Sequence, residues 1–529
     1  MEEIESTQQT KSPLTKRLFA IIAIVIVIIG GALAFVFSNT SIKNKYFQAE
    51  KNTYQTFKDI IEEKYEPELN WRELTETHPT ESTYSFSIEV DLPDDDMKDI
   101  IMISPEQIIN NSSLIVTTAS DKEDFKASAD IEARIGGLSI GNIDAYLTAD
   151  HFSLGLPFLD EKLQINDDDL TQFLHTIDPL SYTGEEDIHL KDLFESTDIF
   201  FSKEDRQYLR EEYLTFLYDE LSDEYFTAEK ETITVHNESV KTDKITLHLL
   251  EDDVKSILLN FFNKMLDDKR LKEMIQDQHA LNHLSTNPSL EQELDQLVKD
   301  FDIAINEAID EIDDLVIPNG LTSTIWTHKK TIVQRDFNLE IGTADEYETD
   351  TVSLNIHGTQ LLNPTKQIFA YDINMKDSYE DIEMTFTGDL STDKGVSDDS
   401  IKLVIDDFEL TYNGAETLEK NDRQFERSFT MNDPLTGPLS YVWTGQATYD
   451  DDQMNSNHEL SMVSPGFDDD LFTFHIQKDA ELKKELDFPT HEEVIDIGSM
   501  NALELEHLVE ELSIIFEQWL FNITGDSIY

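Results

Sequence analysis

The first strong pattern in the chain is a run of twenty uncharged residues at positions 18–37, LFAIIAIVIVIIGGALAFVF. At 1.5 Å of rise per residue, a helix of this length spans roughly 30 Å, the thickness of the hydrocarbon core of a bilayer. The sequence therefore predicts a cytoplasmic tail at residues 1–17 and a single-pass transmembrane helix at residues 18–38.

Lys16 and Arg17 directly precede the apolar run, which favours a cytoplasmic N-terminus. A cleaved export signal is the alternative, because the segment at residues 32–34, Ala-Leu-Ala, has the form of a cleavage site. In either case the bulk of the chain is predicted to lie outside the cytoplasm, at the cell membrane.

After this run the spacing of apolar residues changes twice. Residues 39–79 have apolar positions at helical spacing, which predicts a helical stalk. From about Tyr84 to Ile165 the period becomes two; Ile131 and Ala133, for example, alternate with Glu132 and Arg134. Such alternation is typical of antiparallel strands with one solvated face.

The middle of the chain returns to helical spacing. Helices are predicted at residues 205–226, 254–266 and 289–315, with a hairpin that includes 233–235 and 245–249 between the first two. Their apolar stripes are wide and unbroken, so they must pack on an apolar surface. Residues 80–320 are thus predicted to combine a β-sheet with a helical region.

The last part of the chain is mainly strands. We expect nine or ten antiparallel strands within residues 321–488, followed by an amphipathic helix within residues 489–529. The predicted fold class is α+β: one or more large curved antiparallel sheets, packed with amphipathic helices and preceded by one N-terminal transmembrane helix.

The charge of the chain narrows the choice of partners. Its 529 residues include 40 Lys and Arg against 110 Asp and Glu, a formal net charge of −70. A surface this negative repels nucleic-acid phosphates, so nucleic-acid binding is excluded. Acid clusters at 94–96, 167–169, 450–452 and 468–470 could either bind cations or form a solvated surface. None of them fits the twelve-residue calcium loop.

No cysteine is present. Disulfides, thiolate metal sites and cysteine nucleophiles are therefore excluded.

Two short motifs could carry catalysis. Gly137-Leu138-Ser139-Ile140-Gly141 matches the nucleophile elbow of esterases, but strands are predicted on both sides of Ser139, and Gly136-Gly137 suits a hairpin turn or bulge. His279 and His283 have the one-turn spacing of zinc ligands, and Asp277 or Glu273 would complete such a site. Surface histidines have the same spacing. We therefore assign no catalytic, cofactor-binding or metal residue.

Two segments carry a family resemblance. KNKYFQAEKNTYQTF (43–57) and VKTDKITLHLLEDDVKSILLNFFNKML (240–266) resemble a family of uncharacterised membrane-anchored extracytoplasmic proteins of Gram-positive bacteria. That resemblance implies no activity. The order of strands and helices also resembles the lipoprotein-carrier folds, in which a half-barrel sheet encloses an apolar cavity under helices.

The leading functional hypothesis is a membrane-anchored extracytoplasmic protein that binds a lipid or other amphiphile in an apolar groove. The alternative is an acidic scaffold of the cell envelope that binds cations or basic partners, and a hydrolase is the third hypothesis. The one predicted partner is the lipid bilayer, through residues 18–38.

Overall fold

The computed structural model describes residues 41–90, 105–179, isolated positions between 182 and 194, and residues 203–283, 290–344, 349–378, 381–435, 437–463, 472–486, 488 and 493–524.

Twenty-one strands dominate the described chain and belong to one sheet. In chain order they are β1 (Thr80–Val90), β2 (Ser113–Asp121), β3 (Lys126–Ile135), β4 (Leu138–Thr148), β5 (His151–Gly155), β6 (Lys162–Asn166), β7 (Phe226–Val235), β8 (Glu238–Leu249), β9 (Leu315–Val316), β10 (Leu321–His328), β11 (Thr331–Ala344), β12 (Thr349–Asn363), β13 (Lys366–Lys376), β14 (Asp381–Asp393), β15 (Val396–Ile405), β16 (Phe408–Glu419), β17 (Asp422–Asp433), β18 (Gly437–Tyr449), β19 (Gln453–Val463), β20 (Phe472–Leu482) and β21 (Val494–Asp496).

The helices lie mainly before and between the two blocks of strands. They are α1 (Ile42–Lys64), α2 (Glu66–Thr77), α3 (Pro105–Asn110), α4 (Asp167–Ile177), α5 (Lys203–Leu209), α6 (Thr215–Glu220), α7 (Glu251–Asp267), α8 (Lys269–His283), α9 (Leu290–Glu311) and α10 (Ala502–Thr524). A π-helical turn at Arg210–Leu214 joins α5 to α6, and β7 begins at Phe226. The helix predicted at residues 205–226 is therefore shorter and interrupted.

The sheet is an antiparallel meander with two long-range joins. Starting from β7, its neighbours are β8 and then β10 to β20 in chain order, followed by β1 to β6. The short β21 is parallel to β6, and β9 pairs with β11. The pairings of β8 with β10 and of β1 with β20 make the sheet continuous across residue 320, where the sequence suggested a boundary.

Helices α1 and α2 run obliquely across the sheet. Ser41 accepts a hydrogen bond from the Asn44 amide and caps α1, and Pro67 stands in the first turn of α2. Tyr46 near the start of α1 reaches β10, whereas Trp71 on α2 packs against β19 and β20. Within the predicted stalk, the structure has helices at residues 42–64 and 66–77, and these helices lie on the sheet.

The main hydrophobic core lies between α1, the helices from α5 to α9, and strands β7, β8 and β10 to β12. Helix α7 contributes the stripe predicted from the sequence: Val254, Ile257, Leu258, Phe261 and Phe262 are all buried. The Leu250 amide donates a hydrogen bond of 3.0 Å to the Asp253 carboxylate at the start of this helix. The apolar stripe of α7 is therefore core, and Phe301, Ile305, Ala308 and Ile309 of α9 pack against it.

The predicted fold class is wrong. The prediction is an α+β fold with one or more large curved antiparallel sheets packed with helices and preceded by a transmembrane helix. Such a fold has separate helical and β layers. The described residues instead form a single 21-stranded sheet, of which the helices cover one part. Apolar residues at every second position predict a strand but not the strand with which it pairs. The pairing of β1 with β20 could therefore not be predicted from the sequence.

The transmembrane helix predicted at residues 18–38 lies outside the described residues. Among the residues that are described, no helix combines the length and the apolar character needed to cross a bilayer.

Candidate functional site

Ser139 does not occupy a nucleophile elbow. It lies in β4 opposite Arg134 of β3, so strands flank it on both sides. Gly136 and Gly137 form the two-residue turn between these strands, with φ of 58° and 86°. This confirms the predicted hairpin turn. The esterase motif lacks the strand-to-helix turn that its chemistry requires.

The side chains of the candidate zinc ligands Asp277, His279 and His283 lie outside the described residues. His279 and His283 lie in α8, near its C-terminal end. Asp167 at the start of α4 accepts a hydrogen bond of 2.7 Å from the Leu190 amide. The acid clusters at 94–96 and 468–470 lie outside the described residues, within which no group of three or more potential ligands could hold a metal ion.

The most distinctive surface is one face of the sheet, followed here from strand to strand. Residues directly opposite each other in an antiparallel pair point to the same face. Beneath α1 and α2, this face is closed: the buried residues from β14 to β20 are Leu390, Asp399, Glu416, Arg423, Phe425, Ala447, Met454, Ser456 and Ala480. The N-terminal helices therefore cover the same half of each of these strands.

The other half of the same face is apolar and open. Two rows of residues that lie directly opposite each other run across the strands of this half. The first row crosses the five strands from β14 to β18, and the second crosses β18, β19, β20 and β1. Their members are Phe386, Leu403, Leu410, Met431 and Leu439 in the first row, and Trp443, Leu460, Phe474 and Ile88 in the second. None of these side chains is buried, and Leu410 and Ile88 are each 39% exposed. We call this half, from β14 through β20 to β1 and β2, the open apolar face.

The open apolar face is large for an exposed surface. Nine neighbouring strands at about 4.8 Å spacing make it roughly 38 Å wide. Two or three same-face residues per strand make it roughly 13 Å deep, so its area is on the order of 500 Å². A patch of about this size is the largest that a typical monomer exposes, and such patches are often functional.

Aromatic rings lying over glycines shape the border between the covered and open halves. A Cβ atom at Gly388 would lie 2.1 Å from Phe369 Cζ, and one at Gly445 would lie 2.5 Å from Phe425 Cζ. Each ring therefore occupies the space above a glycine of the neighbouring strand, an arrangement that stabilises strand glycines. The glycines are required because any side chain would displace the rings.

A buried ion network marks the inner edge of the open apolar face. Arg423 donates hydrogen bonds to Glu416 (2.8 Å) and to Glu68 of α2 (3.2 Å for Nη2). Arg427 also pairs with Glu416, at 2.9 Å. Lys64 at the end of α1 pairs with Asp399. These contacts hold helices α1 and α2 against strands β15, β16 and β17.

The opposite face of the sheet differs in character. A depression across β15 to β19 is lined largely by polar residues, including Asp398, Glu426 and Glu459. It has no apolar wall of comparable extent, so the open apolar face is the stronger candidate for a binding site.

Comparisons with known proteins leave the family open. No known protein family matches the sequence, and no curated protein matches it. Among solved structures, a bacterial polysaccharide outer membrane secretin is similar at 6% sequence identity and a TM-score of 0.22. The match covers 77% of this chain and 98% of the secretin chain. OccK3 of Pseudomonas aeruginosa matches with 7% identity, 76% and 94% coverage, and a TM-score of 0.23. A BenF-like porin of Pseudomonas fluorescens matches with 6% identity, 76% and 97% coverage, and a TM-score of 0.22. Scores this low support no conclusion about fold or function, and they do not test the resemblance to the Gram-positive family.

Sequence reasoning missed the cations of the inner edge. In β17, Arg423 and Arg427 fall on the same alternate positions as Phe425, Phe429 and Met431. A basic residue at an apolar position of a strand, in so acidic a chain, was the signal that could have identified them.

Proposed function

We propose that the protein binds an amphiphile whose hydrocarbon part lies on the open apolar face. The observation that carries this proposal is the change along one face of the sheet: its side chains are buried beneath α1 and α2, whereas beyond these helices they are apolar and exposed. The sequence suggested a groove beneath the helices, but the middle helices fill that space with core side chains. The open apolar face is the place left for such a ligand.

Charge favours an amphiphile over a second copy of the chain. The turns at the open ends of the strands carry carboxylates such as Asp381, Asp406, Asp407 and Asp433, and the chain carries −70 overall. Two copies meeting face to face would bring these charges together, which costs free energy. A hydrocarbon chain gains the transfer free energy of its buried surface without that repulsion.

The predicted location outside the cytoplasm and the resemblance to membrane-anchored proteins of Gram-positive bacteria would place this face near lipids. Both stay predictions, and the binding proposal does not depend on them. Within the described residues no group of three or more potential ligands could hold a metal ion, so the cation-binding form of the acidic-scaffold alternative has no site there.

The test uses a neutral fluorescent acyl ester, methyl parinarate, titrated into the purified protein. Leu410→Glu and Leu460→Glu place a charge on the open apolar face, so we expect each to weaken binding at least about tenfold, equivalent to ~1.4 kcal/mol. Val396→Glu is the matched control, because Val396 lies on the opposite face and is 58% exposed. Circular dichroism checks that all three variants keep the strand content of the wild type.

Two results would overturn the proposal. One is a wild-type protein that does not bind the ester. The other is binding that Val396→Glu weakens as much as the two substitutions on the open apolar face.

A further inference from the structure

The inner edge of the open apolar face carries polar atoms without partners. Trp71 is 5% exposed and Ser456 is 4% exposed. The indole Nε1 of Trp71, the hydroxyl of Ser456 and Nδ1 of His458 are buried and have no hydrogen-bond partner within the described chain. An unpaired buried polar group costs about 1–3 kcal/mol, so three in one region point to a ligand that pairs with them.

The three groups belong to one area of the sheet. Ser456 and His458 are successive residues of β19 on the same face. Trp71 packs on Met454, the preceding residue of that face. The rows of same-face side chains run outward from these unpaired atoms onto the open apolar face. A ligand bound on that face would therefore have one end at the unpaired atoms.

Two cations flank these groups. Lys478 of β20 lies directly opposite Ser456, and its Nζ is 5.1 Å from the centre of the Tyr84 ring. Arg427 lies over the rings of Phe425 and Trp443, at 4.1 and 4.8 Å from their centres.

The same two rings connect Arg427 to His458. The imidazole lies 5.7 Å from the centre of the Phe425 ring and 5.8 Å from that of the Trp443 ring. Arg427, the two rings and His458 therefore form one cluster, with Lys478 on the strand beyond.

Lys478 is uncompensated among the described residues. Arg427 pairs with Glu416, whose second oxygen accepts a hydrogen bond from Arg423. The described chain places no carboxylate within ion-pair distance of Lys478, although acids outnumber bases in this protein by 110 to 40. A lysine kept on an apolar face without a carboxylate is suited to an anion from outside.

We infer that the amphiphile bound by the open apolar face carries an anionic headgroup, which lies at the inner edge against Lys478, Ser456 and His458. The hydrocarbon chain then extends toward the open ends of the strands, over Leu460 and Phe474. This inference rests on the proposed function and adds the charge and the orientation of the ligand.

The electrostatics of His458 agree with this arrangement. Burial, with the positive charges of Arg427 and Lys478, lowers the pKa of the imidazole below its ordinary value. The two charged groups that act on His458 are therefore both cations, in contrast to the acidic chain as a whole.

The experiment compares parinaric acid, a carboxylate, with its neutral methyl ester at neutral pH. We expect wild-type protein to bind the acid more tightly than the ester. Lys478→Gln should weaken binding of the acid about fivefold, the equivalent of one partly exposed ion pair, and leave the ester within about twofold. Lys478→Arg keeps the charge and should restore binding of the acid.

Lys402→Gln is the matched control. Lys402 lies on the opposite face of the sheet, paired with Glu409 at 2.8 Å. Its replacement should leave both affinities unchanged.

The outcomes separate the two proposals. If neither probe binds, the proposed function fails and the inference fails with it. If the ester binds as tightly as the acid, or if Lys478→Gln weakens both equally, amphiphile binding stands and the anionic headgroup site is overturned.

Discussion

Arg423 of β17 donates a hydrogen bond of 2.8 Å to the carboxylate of Glu416 on the neighbouring strand, and both side chains are almost fully buried, at 3% and 1% exposure. The same guanidinium donates to the Lys64 carbonyl at the end of α1, at 2.6 Å. It also pairs with Glu68 of α2. One arginine therefore holds the junction of the two N-terminal helices on the sheet.

Arg423→Met should destabilise the protein through this junction. The change removes the cation paired with Glu68 and leaves Glu416 with Arg427 as its remaining ion-pair partner, so we expect a loss of about 3 kcal/mol in the free energy of unfolding. Urea denaturation followed by circular dichroism measures the loss. Arg72→Met is the control: Arg72 pairs with Glu76 on the same helix at 75% exposure, and its loss should cost under about 1 kcal/mol. Equal effects of the two substitutions would contradict the structural role of Arg423.

Neighbouring leucines of α7 offer a test of the core. Leu258 is 0% exposed, whereas Leu259 is 38% exposed. Leu258→Ala should lower the free energy of unfolding by ~2–5 kcal/mol, because it removes buried methyl groups and leaves a cavity. Leu259→Ala should cost under about 1 kcal/mol. A similar loss from both, in parallel urea titrations, would mean that α7 does not pack as described.

The glycine at the centre of β14 is a test of the aromatic border. Gly388→Ala would place a Cβ atom 2.1 Å from Phe369 Cζ, so the ring must move. We expect a destabilisation of ~1–3 kcal/mol from this overpacking.

A double-mutant cycle attributes that effect to the ring. In a Phe369→Ala background the clash is absent, so adding Gly388→Ala should cost much less than it does in the wild type. A full cost in both backgrounds would show that the backbone of Gly388, and not the space taken by Phe369, makes the glycine necessary.

The sequence predicted most individual elements. The stripe from Val254 to Leu266 predicted α7, because every apolar position recurs at three- or four-residue spacing. Alternation likewise predicted the strands before and after the middle helices. Within residues 321–488 the described chain has eleven strands, against nine or ten expected.

The arrangement of these elements could not be predicted in the same way. A strand pattern is local, whereas the pairing of Phe86 on β1 with Ile476 on β20 joins residues from the two ends of the chain. Nor does an apolar position show whether another element covers it. Leu390 and Phe386 have the same character and lie on the same face of β14, yet only Leu390 is buried. The open apolar face is therefore visible in the structure alone.

The last prediction concerns the pH dependence of binding of parinaric acid. His458 is faced by Arg427 from β17 and Lys478 from β20, and by the neutral ring of Trp443 from β18. Burial, with these two cations, holds the pKa of free His458 below its ordinary value of about 6.5. A bound carboxylate adds a negative charge and raises that pKa, so the complex holds more protons than the free protein in this range.

Affinity for the acid should therefore rise as the pH falls through the pKa of His458 in the complex, until the carboxylate of the probe itself becomes protonated. At pH values above that pKa the affinity should be constant. His458→Gln should abolish the rise, because glutamine keeps a hydrogen-bond donor for the carboxylate but takes up no proton, and the neutral ester should show no rise with either protein. Fluorescence titrations across this pH range measure all four cases, and a rise that persists in His458→Gln would assign the proton uptake to another group.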